Sequence, residues 1–427
     1  MKQISLILIG GGDRGSSYIK YLDTNPDKFK LVGIAEPVKE KREYLRDTYN
    51  VPADMCFESY EDLLALPKMA DVAMICTQDQ MHFAPAMMAI EKKYDLLLEK
   101  PAAATVEECF KISVAAKKHN VKVLVCHVLR YTPFYKALKK LIDDGAVGEI
   151  MNIEHSECVG NLHYSHSYVR GNWRKLSEAS PMILAKCCHD TDLMQWLLGE
   201  QCTKVQSFGT LSYFKKENAP EGAAMRCLDD CPHKDTCFYY APKMYKIRTA
   251  EVGHFRGIVA KKFNPTDEEV DEILKTSQYG RCVYHCDNDV VDHQTVNMLF
   301  GKDKSVTLTM SAFNKGGRYS KIMGTKGEIH ADFEEQSIML FDFETRERKE
   351  MYEGSYDFEQ SIAGGHGGGD SGIMEDLYEY VANGVTSNSI SGIDISCMSH
   401  LVAFAAEEAR VTGKVIDMDE YVKSLKI

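Results

Sequence analysis

Ile4-Ser5-Leu6-Ile7-Leu8-Ile9-Gly10-Gly11-Gly12-Asp13-Arg14-Gly15 decides the fold. Six residues of an apolar run have the length of a buried strand. A glycine-rich turn follows, and Asp13–Leu22 reads as a helix. This is GxGxxG in the context it needs, after a strand and opening a helix. Gly10 permits the tight turn, Gly12 lets backbone approach a pyrophosphate, and Gly15 allows close helix–strand packing. The helix N-terminus then offers free N–H groups and a partial positive charge to phosphates. A second apolar run, Lys30–Glu36, ends on a carboxylate about 20 residues on, where adenosine ribose hydroxyls are met. Glu36 repels a 2′-phosphate, which favours NAD, while Lys41 and Arg42 leave NADP open. The expected cofactor residues here are Gly10, Gly11, Gly12, Asp13, Arg14, Gly15 and Glu36.

The alternation continues. Val38–Tyr49 is helical. Asp71–Thr77 and Tyr94–Glu99 are continuous apolar runs, as in strands buried on both faces. Met81–Lys92 and Thr105–His119 have helical periodicity, and Val121–His127 is another strand. Strand–helix alternation implies a parallel, doubly wound sheet. Its carboxyl edge is where ligands bind. Two strand ends there add Thr77, Gln78 and His82, then Glu99 and Lys100, to the expected cofactor residues. Lys100, before Pro101, points into the crevice.

Length and composition set the frame. The 427 residues are too many for one ordinary core. Lys plus Arg is 51 and Asp plus Glu 63, so the net charge of −12 gives no general attraction to nucleic acid or anionic lipid. No apolar run nears the roughly 18 residues that span a bilayer. Ile4–Ile9 is too short for a secretory core segment. Fourteen scattered cysteines, Cys187 and Cys188 adjacent, suit a reducing compartment. The expectation is a cytoplasmic protein.

GxGxxG, a Thr77-x-x-x-x-His82 strand end and Glu99-Lys100-Pro101 together resemble the Gfo/Idh/MocA family of NAD(P)-dependent oxidoreductases. Arg130-Tyr131-x-Pro133, Gly148-Glu149-Ile150, His189-x-x-Asp192 and Gly324-Thr325-Lys326-Gly327 extend the resemblance over essentially the whole chain. It implies a Rossmann domain over 1–127 and an α/β domain over 128–427. The second domain would carry a large, open, mostly antiparallel sheet, with the active site at the interface. A homo-oligomer, dimer or tetramer, is implied by the same analogy.

The later sequence fits independently. Phe134–Asp144 is helical and Glu149–Glu157 a strand. Met182–Leu198 reads as one amphipathic helix. Strands follow one another from Val205–Phe214, through Val291–Phe300, to Glu347–Tyr352, as in an antiparallel sheet. Ser371–Asn383 and Cys397–Thr412 are helical. Residues 214–290 are polar, Cys-rich and irregular, and read as an insertion.

On the helix of Met182–Leu198, Ala185, His189, Asp192 and Trp196 share one face, with Lys186 at its flank. The family pattern is D-x-x-x-H-x-x-D. His189 and Asp192 match it, but its first Asp falls on Ala185. In relatives the Lys, that Asp and the His handle the substrate hydroxyl, so Ala185 is a departure. Hydride transfer from a carbinol carbon needs a group to take the hydroxyl proton. Lys100 and His189 are the expected catalytic pair. Arg130, Tyr131, His163, Trp173, Arg174, Lys186, Asp192 and His366 are expected to meet a small carbohydrate or cyclitol. His163–Arg174 is dense in polar and aromatic groups, and His366 is centred in glycines.

Cys227, Cys231 and Cys237, with His233 between, supply most of a structural zinc set, but the spacing is not C-x2-C and no fourth ligand is obvious, so packing cysteines fit somewhat better. The leading expectation is a sugar, cyclitol or glycoside oxidoreductase. Two alternatives are an NAD-dependent glycoside-cleaving enzyme that oxidises transiently, and a sugar or NAD sensor without catalysis.

Overall fold

The computed structural model describes residues 2–247, 253–262, 264–354 and 366–425. Six parallel strands form the first sheet: β1 Ile4–Ile9, β2 Phe29–Ala35, β3 Cys56–Phe57, β4 Val72–Ile75, β5 Asp95–Leu98 and β6 Val123–Val125. Their order is β3-β2-β1-β4-β5-β6. Strand order reverses beside β1, which opens a crevice at the carboxyl ends of β1 and β4. The strands are buried on both faces. Leu6 and Leu8 join one core, while Ile7 and Ile9 join the other. The first core is completed from far along the chain by Ile373, Met374 and Leu377 of the helix Gly369–Tyr378.

Nine strands form the second sheet: β7 Ile150–Cys158, β8 Cys202–Thr210, β9 His293–Phe300, β10 Lys304–Ser311, β11 Gly317–Gly324, β12 Gly327–Asp332, β13 Ser337–Asp342, β14 Arg348–Glu353 and β15 Ile416–Asp417. Among the described residues of this sheet only β7 and β10 pair in parallel; the other ladders are antiparallel. The fold class is therefore as expected: a Rossmann sheet and a largely antiparallel second sheet. Alternating residues such as Ile153, Val296, Leu308, Ile322 and Ile329 enter one core with Leu193 and Leu197 of the helix Cys188–Leu198. That core presents the helix to the carboxyl edge of the first sheet.

Two local expectations change. The single helix expected over Met182–Leu198 is two, Met182–Ala185 and Cys188–Leu198. Residues 214–290 are not simply irregular. They carry the helices His254–Ala260 and Asp267–Thr276 over a small core that includes Cys227, Tyr245, Val270 and Leu274. Thr266 and Glu269 form a capping box at the start of the second helix, a signal present in the sequence. Among the described residues no helix is long and apolar enough to cross a membrane.

Candidate active site

The glycine turn has the geometry its residues require. Gly10 has φ +92°, and a Cβ there would lie 2.6 Å from the Cys76 carbonyl oxygen. A Cβ on Gly15 would sit 2.1 Å from the Gly10 oxygen, so the helix Asp13–Ile19 packs onto β1 only with glycine. Nothing lies within 4 Å of a Cβ on Gly12, which faces open space. The Glu36 carboxylate, buried at the end of β2, accepts from Gly11 N at 2.6 Å and Val38 N at 2.8 Å. Each oxygen keeps lone-pair capacity for a hydroxyl. An open amide turn beside a fixed carboxylate fits a dinucleotide.

Lys100 follows β5. Its backbone N–H donates to Glu99 Oε2 at 2.7 Å, and its Nζ donates to the Ala185 carbonyl at 3.1 Å. Ala185 ends the first of the two short helices. Lys186 and Cys187 lie at the break, with φ/ψ of −107°/−49° and −93°/9°. Where the resemblance implied an Asp, the chain thus offers Lys100 a main-chain oxygen instead.

His189 begins the second short helix and is buried. Its Nδ1 has no hydrogen-bond partner among the described residues. Its ring lies 5.8 Å from that of His127 and 6.1 Å from that of His366, centroid to centroid. Burial, then the Lys100 charge, push the His189 pKa well below the usual imidazole value. His189 is therefore neutral at neutral pH.

A buried charged network flanks this pair. Lys186 Nζ lies 3.4 Å from Glu157 Oε1. Arg318 reaches Glu157 Oε2 at 2.6 Å and Asp190 Oδ1 at 2.8 Å. His155 Nε2 also lies 2.8 Å from Asp190 Oδ1. Burial lowers the Lys186 pKa, and the Arg318 and Lys100 charges add to this against the pull of Glu157. Glu157, Lys186, Arg318 and His163 line a cavity of about 420 Å³.

A second chain of contacts ties the turn to the C-terminal segment. Arg14 Nε donates to Glu99 Oε1 at 3.0 Å, and both terminal nitrogens donate to Asp370, at 3.0 and 2.6 Å. His366 Nδ1 lies 3.3 Å from Asp370 Oδ1. Arg14 and His366, distant in sequence, thus share one carboxylate.

Other expected residues lie elsewhere or are engaged. Arg130 and Asp192 bind each other at 2.5 and 2.7 Å, fully buried. The Tyr131 hydroxyl pairs with Ser391 Oγ at 2.8 Å. Trp173 Nε1 donates to Asp79 at 3.1 Å, and Arg174 pairs with Asp287 at 3.0 Å. Thr77 Oγ1 donates to the Met81 carbonyl at 3.1 Å, Gln78 is exposed, and His82 lies between the Pro101 and Thr77 carbonyls at 2.6 and 3.0 Å. Glu157, Asp190, Arg318, His127 and Asp370 were missed. Asp190 adjoins His189, but the other four are joined to the site only by long-range packing.

The zinc expectation is corrected. No group of three or more His, Cys, Asp or Glu could hold a metal among the described residues. Cys227 is buried against Arg170, whose Nη2 lies 3.6 Å from its sulfur. A guanidinium thus already lies against that thiol. Cys231 and Cys237 remain free thiols.

Burial also makes stability pH-dependent. His127, His189 and His400 are all pushed below the ordinary value of 6.5 by desolvation. Unfolded, they protonate near 6.5, while the fold resists their protonation. Stability is then complete above pH 6.5 and falls below it, by up to about 1.4 kcal/mol per histidine for each pH unit. The thermal midpoint is expected to be lower at pH 5.5 than at pH 7.5. An equal or higher midpoint at pH 5.5 contradicts their neutral burial.

Comparison with known proteins adds to this geometry. Residues 4–127 match the model of an oxidoreductase family's NAD-binding Rossmann fold, and residues 139–389 match the same family's C-terminal alpha/beta domain. The oxidoreductase YteT of Bacillus subtilis (strain 168) is 26% identical over 374 residues, covering 84% of this chain and 81% of that protein. The 2,7-anhydro-N-acetylneuraminate hydratase of Escherichia coli (strain K12) is 30% identical over 195 residues, 45% of this chain and 49% of that protein. The inositol 2-dehydrogenase of Salmonella typhimurium is 26% identical over 202 residues, 47% of this chain and 56% of that protein. The last two alignments therefore span about half of each relative. Among solved structures, an oxidoreductase from Agrobacterium radiobacter in complex with NAD+, L-tartaric acid and magnesium has a TM-score of 0.68 at 13% identity, covering 98% of this chain and 100% of that one. The aldose-aldose oxidoreductase from Caulobacter crescentus has a TM-score of 0.67 at 14% identity, covering 97% and 100%. At these identities the structures show the fold.

Proposed function

Because this chain belongs to the Gfo/Idh/MocA family of oxidoreductases and is an enzyme of dehydrogenase type, we propose that it moves a hydride between NAD and a hydroxyl-bearing carbon of a sugar, cyclitol or glycoside. In this reading residues 1–127 hold the dinucleotide and residues 128–427 the substrate. Gly10, Gly11, Gly12, Asp13, Arg14 and Gly15 hold the diphosphate, and Glu36 holds the adenosine ribose. Bound NAD supplies the hydride-accepting ring.

The chain's own residues manage the proton. Lys100 Nζ is steered by the Ala185 carbonyl and donates to the substrate hydroxyl oxygen, stabilising negative charge as the O–H proton leaves. His189, neutral, takes that proton on its ring. Lys186 and Glu157 bind neighbouring hydroxyls from the cavity they line. The observation that carries the reading is Lys100 on the Ala185 carbonyl beside His189, with an imidazole nitrogen left unpaired in a buried site.

A second reading makes the oxidation transient, with net elimination or addition across the ring. It is favoured by Ala185 in place of the family Asp, and by a relative named as a hydratase. One assay separates the two. With NAD and a panel of sugars and cyclitols, the first gives steady growth of absorbance at 340 nm. The second gives release from nitrophenyl glycosides, or hydration, without net NADH. Neither signal across the panel counts against both readings.

A further inference from the structure

The helix His254–Ala260 belongs to the insertion, which a Rossmann domain does not need. Phe255 and Val259, four residues apart, bury in the insertion's own core beside Val270 and Leu274. The opposite side of that helix carries Gly253, Arg256 and Gly257, and these line a cavity of about 570 Å³. Its other wall opens at Gly11 and Gly12 of the glycine turn and runs back between the helix Asp13–Ile19, through Asp13 and Ser16, and the helix Lys39–Tyr49, through Lys41 and Tyr44. The volume is that of a small-molecule site. Lys20 and Lys41 stand on that wall together with Asp13 and Asp23, while the insertion's wall carries Arg256 and Lys262 and, among the described residues, no carboxylate. The side of Gly12 where a Cβ would point is open space, so the turn does not close the cavity.

The Arg256 guanidinium is also oriented. Its Nη2 donates to the Pro265 carbonyl at 2.9 Å and lies 2.7 Å from Asp267 Oδ1. Asp267 is 55% exposed, so this pair is weak and an incoming phosphate competes with it.

We propose that Arg256 is a cofactor-binding residue: the insertion forms the outer wall of the dinucleotide cleft, and its guanidinium binds the diphosphate of the adenosine half. The proposal rests on the dinucleotide reading above and assigns part of that site to a segment outside the Rossmann sheet. The ligand chemistry is a nucleoside diphosphate, so the contact is independent of the nicotinamide ring.

The test is calorimetric titration of NAD+ and of ADP-ribose into the full chain, comparing wild type with Arg256→Ala, Arg256→Lys and Lys41→Ala. Loss of one charge-assisted contact is expected to raise Kd about 10-fold for both ligands in Arg256→Ala. Arg256→Lys should recover part of that loss. Lys41→Ala, on the opposite wall and outside the insertion, should weaken both ligands at least threefold. The gap between wild type and Arg256→Ala should narrow in high salt. ADP-ribose affinity within twofold of wild type in Arg256→Ala overturns the proposal while leaving the dinucleotide reading intact. Absence of binding by wild type overturns both.

Discussion

Replacing Lys100 with alanine is expected to lower kcat roughly 10³-fold while NAD affinity stays within several-fold. The side chain is anchored on the Ala185 carbonyl, and its contact lies away from the glycine turn that holds the diphosphate. Its loss removes the cation that offsets charge on the substrate oxygen, leaving His189 to draw the proton alone. Lys100→Arg should not restore the rate, because a planar guanidinium does not replace a compact ammonium in a fixed geometry. An unchanged kcat in Lys100→Ala removes the residue from the mechanism. A large loss of NAD affinity at constant kcat makes it a cofactor residue instead.

Replacing Arg130 with methionine is expected to destabilise the fold by about 3–5 kcal/mol. Arg130 makes two short bonds to Asp192, and both residues are buried. Burial already pushes the Asp192 carboxyl up, and Arg130 is the main influence pulling it back. Without the guanidinium, a buried carboxylate is left uncompensated. The double replacement, Arg130→Met with Asp192→Leu, should recover most of the loss, because removing both charges removes the desolvation cost too. Chemical denaturation followed by far-ultraviolet circular dichroism reads both. A single variant as stable as wild type contradicts a structural role for the pair and returns both residues to the substrate site.

The glycine turn was readable because its constraints are local: a positive φ at Gly10 and a helix–strand approach at Gly15 follow from the spacing itself. The same holds for Glu36 at a strand end and Lys100 after a buried run. The break at Lys186–Cys187 was not readable. Met182–Leu198 contains no Gly or Pro, and its periodicity is that of one helix. The break coincides with partners remote in sequence: Glu157 for Lys186, and Lys100 for the Ala185 carbonyl. The network of Glu157, Asp190 and Arg318 is assembled from β7, β11 and a helix, so no window of sequence contains it. Arg130 and Asp192 were picked out by the Arg130-Tyr131-x-Pro133 and His189-x-x-Asp192 patterns, and a pattern does not tell a substrate ligand from half of a buried pair. The cysteine spacing left metal and packing both open because thiol density is common to metal sites and to small cores, and Arg170, which lies beside Cys227, is far away in the sequence.

The central claim is that a nicotinamide dinucleotide rests on the amides from Gly10 with its adenosine ribose on Glu36. Calorimetric titration of NAD+ and NADP+ into wild type and Glu36→Ala tests it most directly. Saturable one-to-one binding is predicted, tighter for NAD+ than for NADP+ in wild type, with that preference lost in the variant. No heat of binding from either nucleotide would contradict the account.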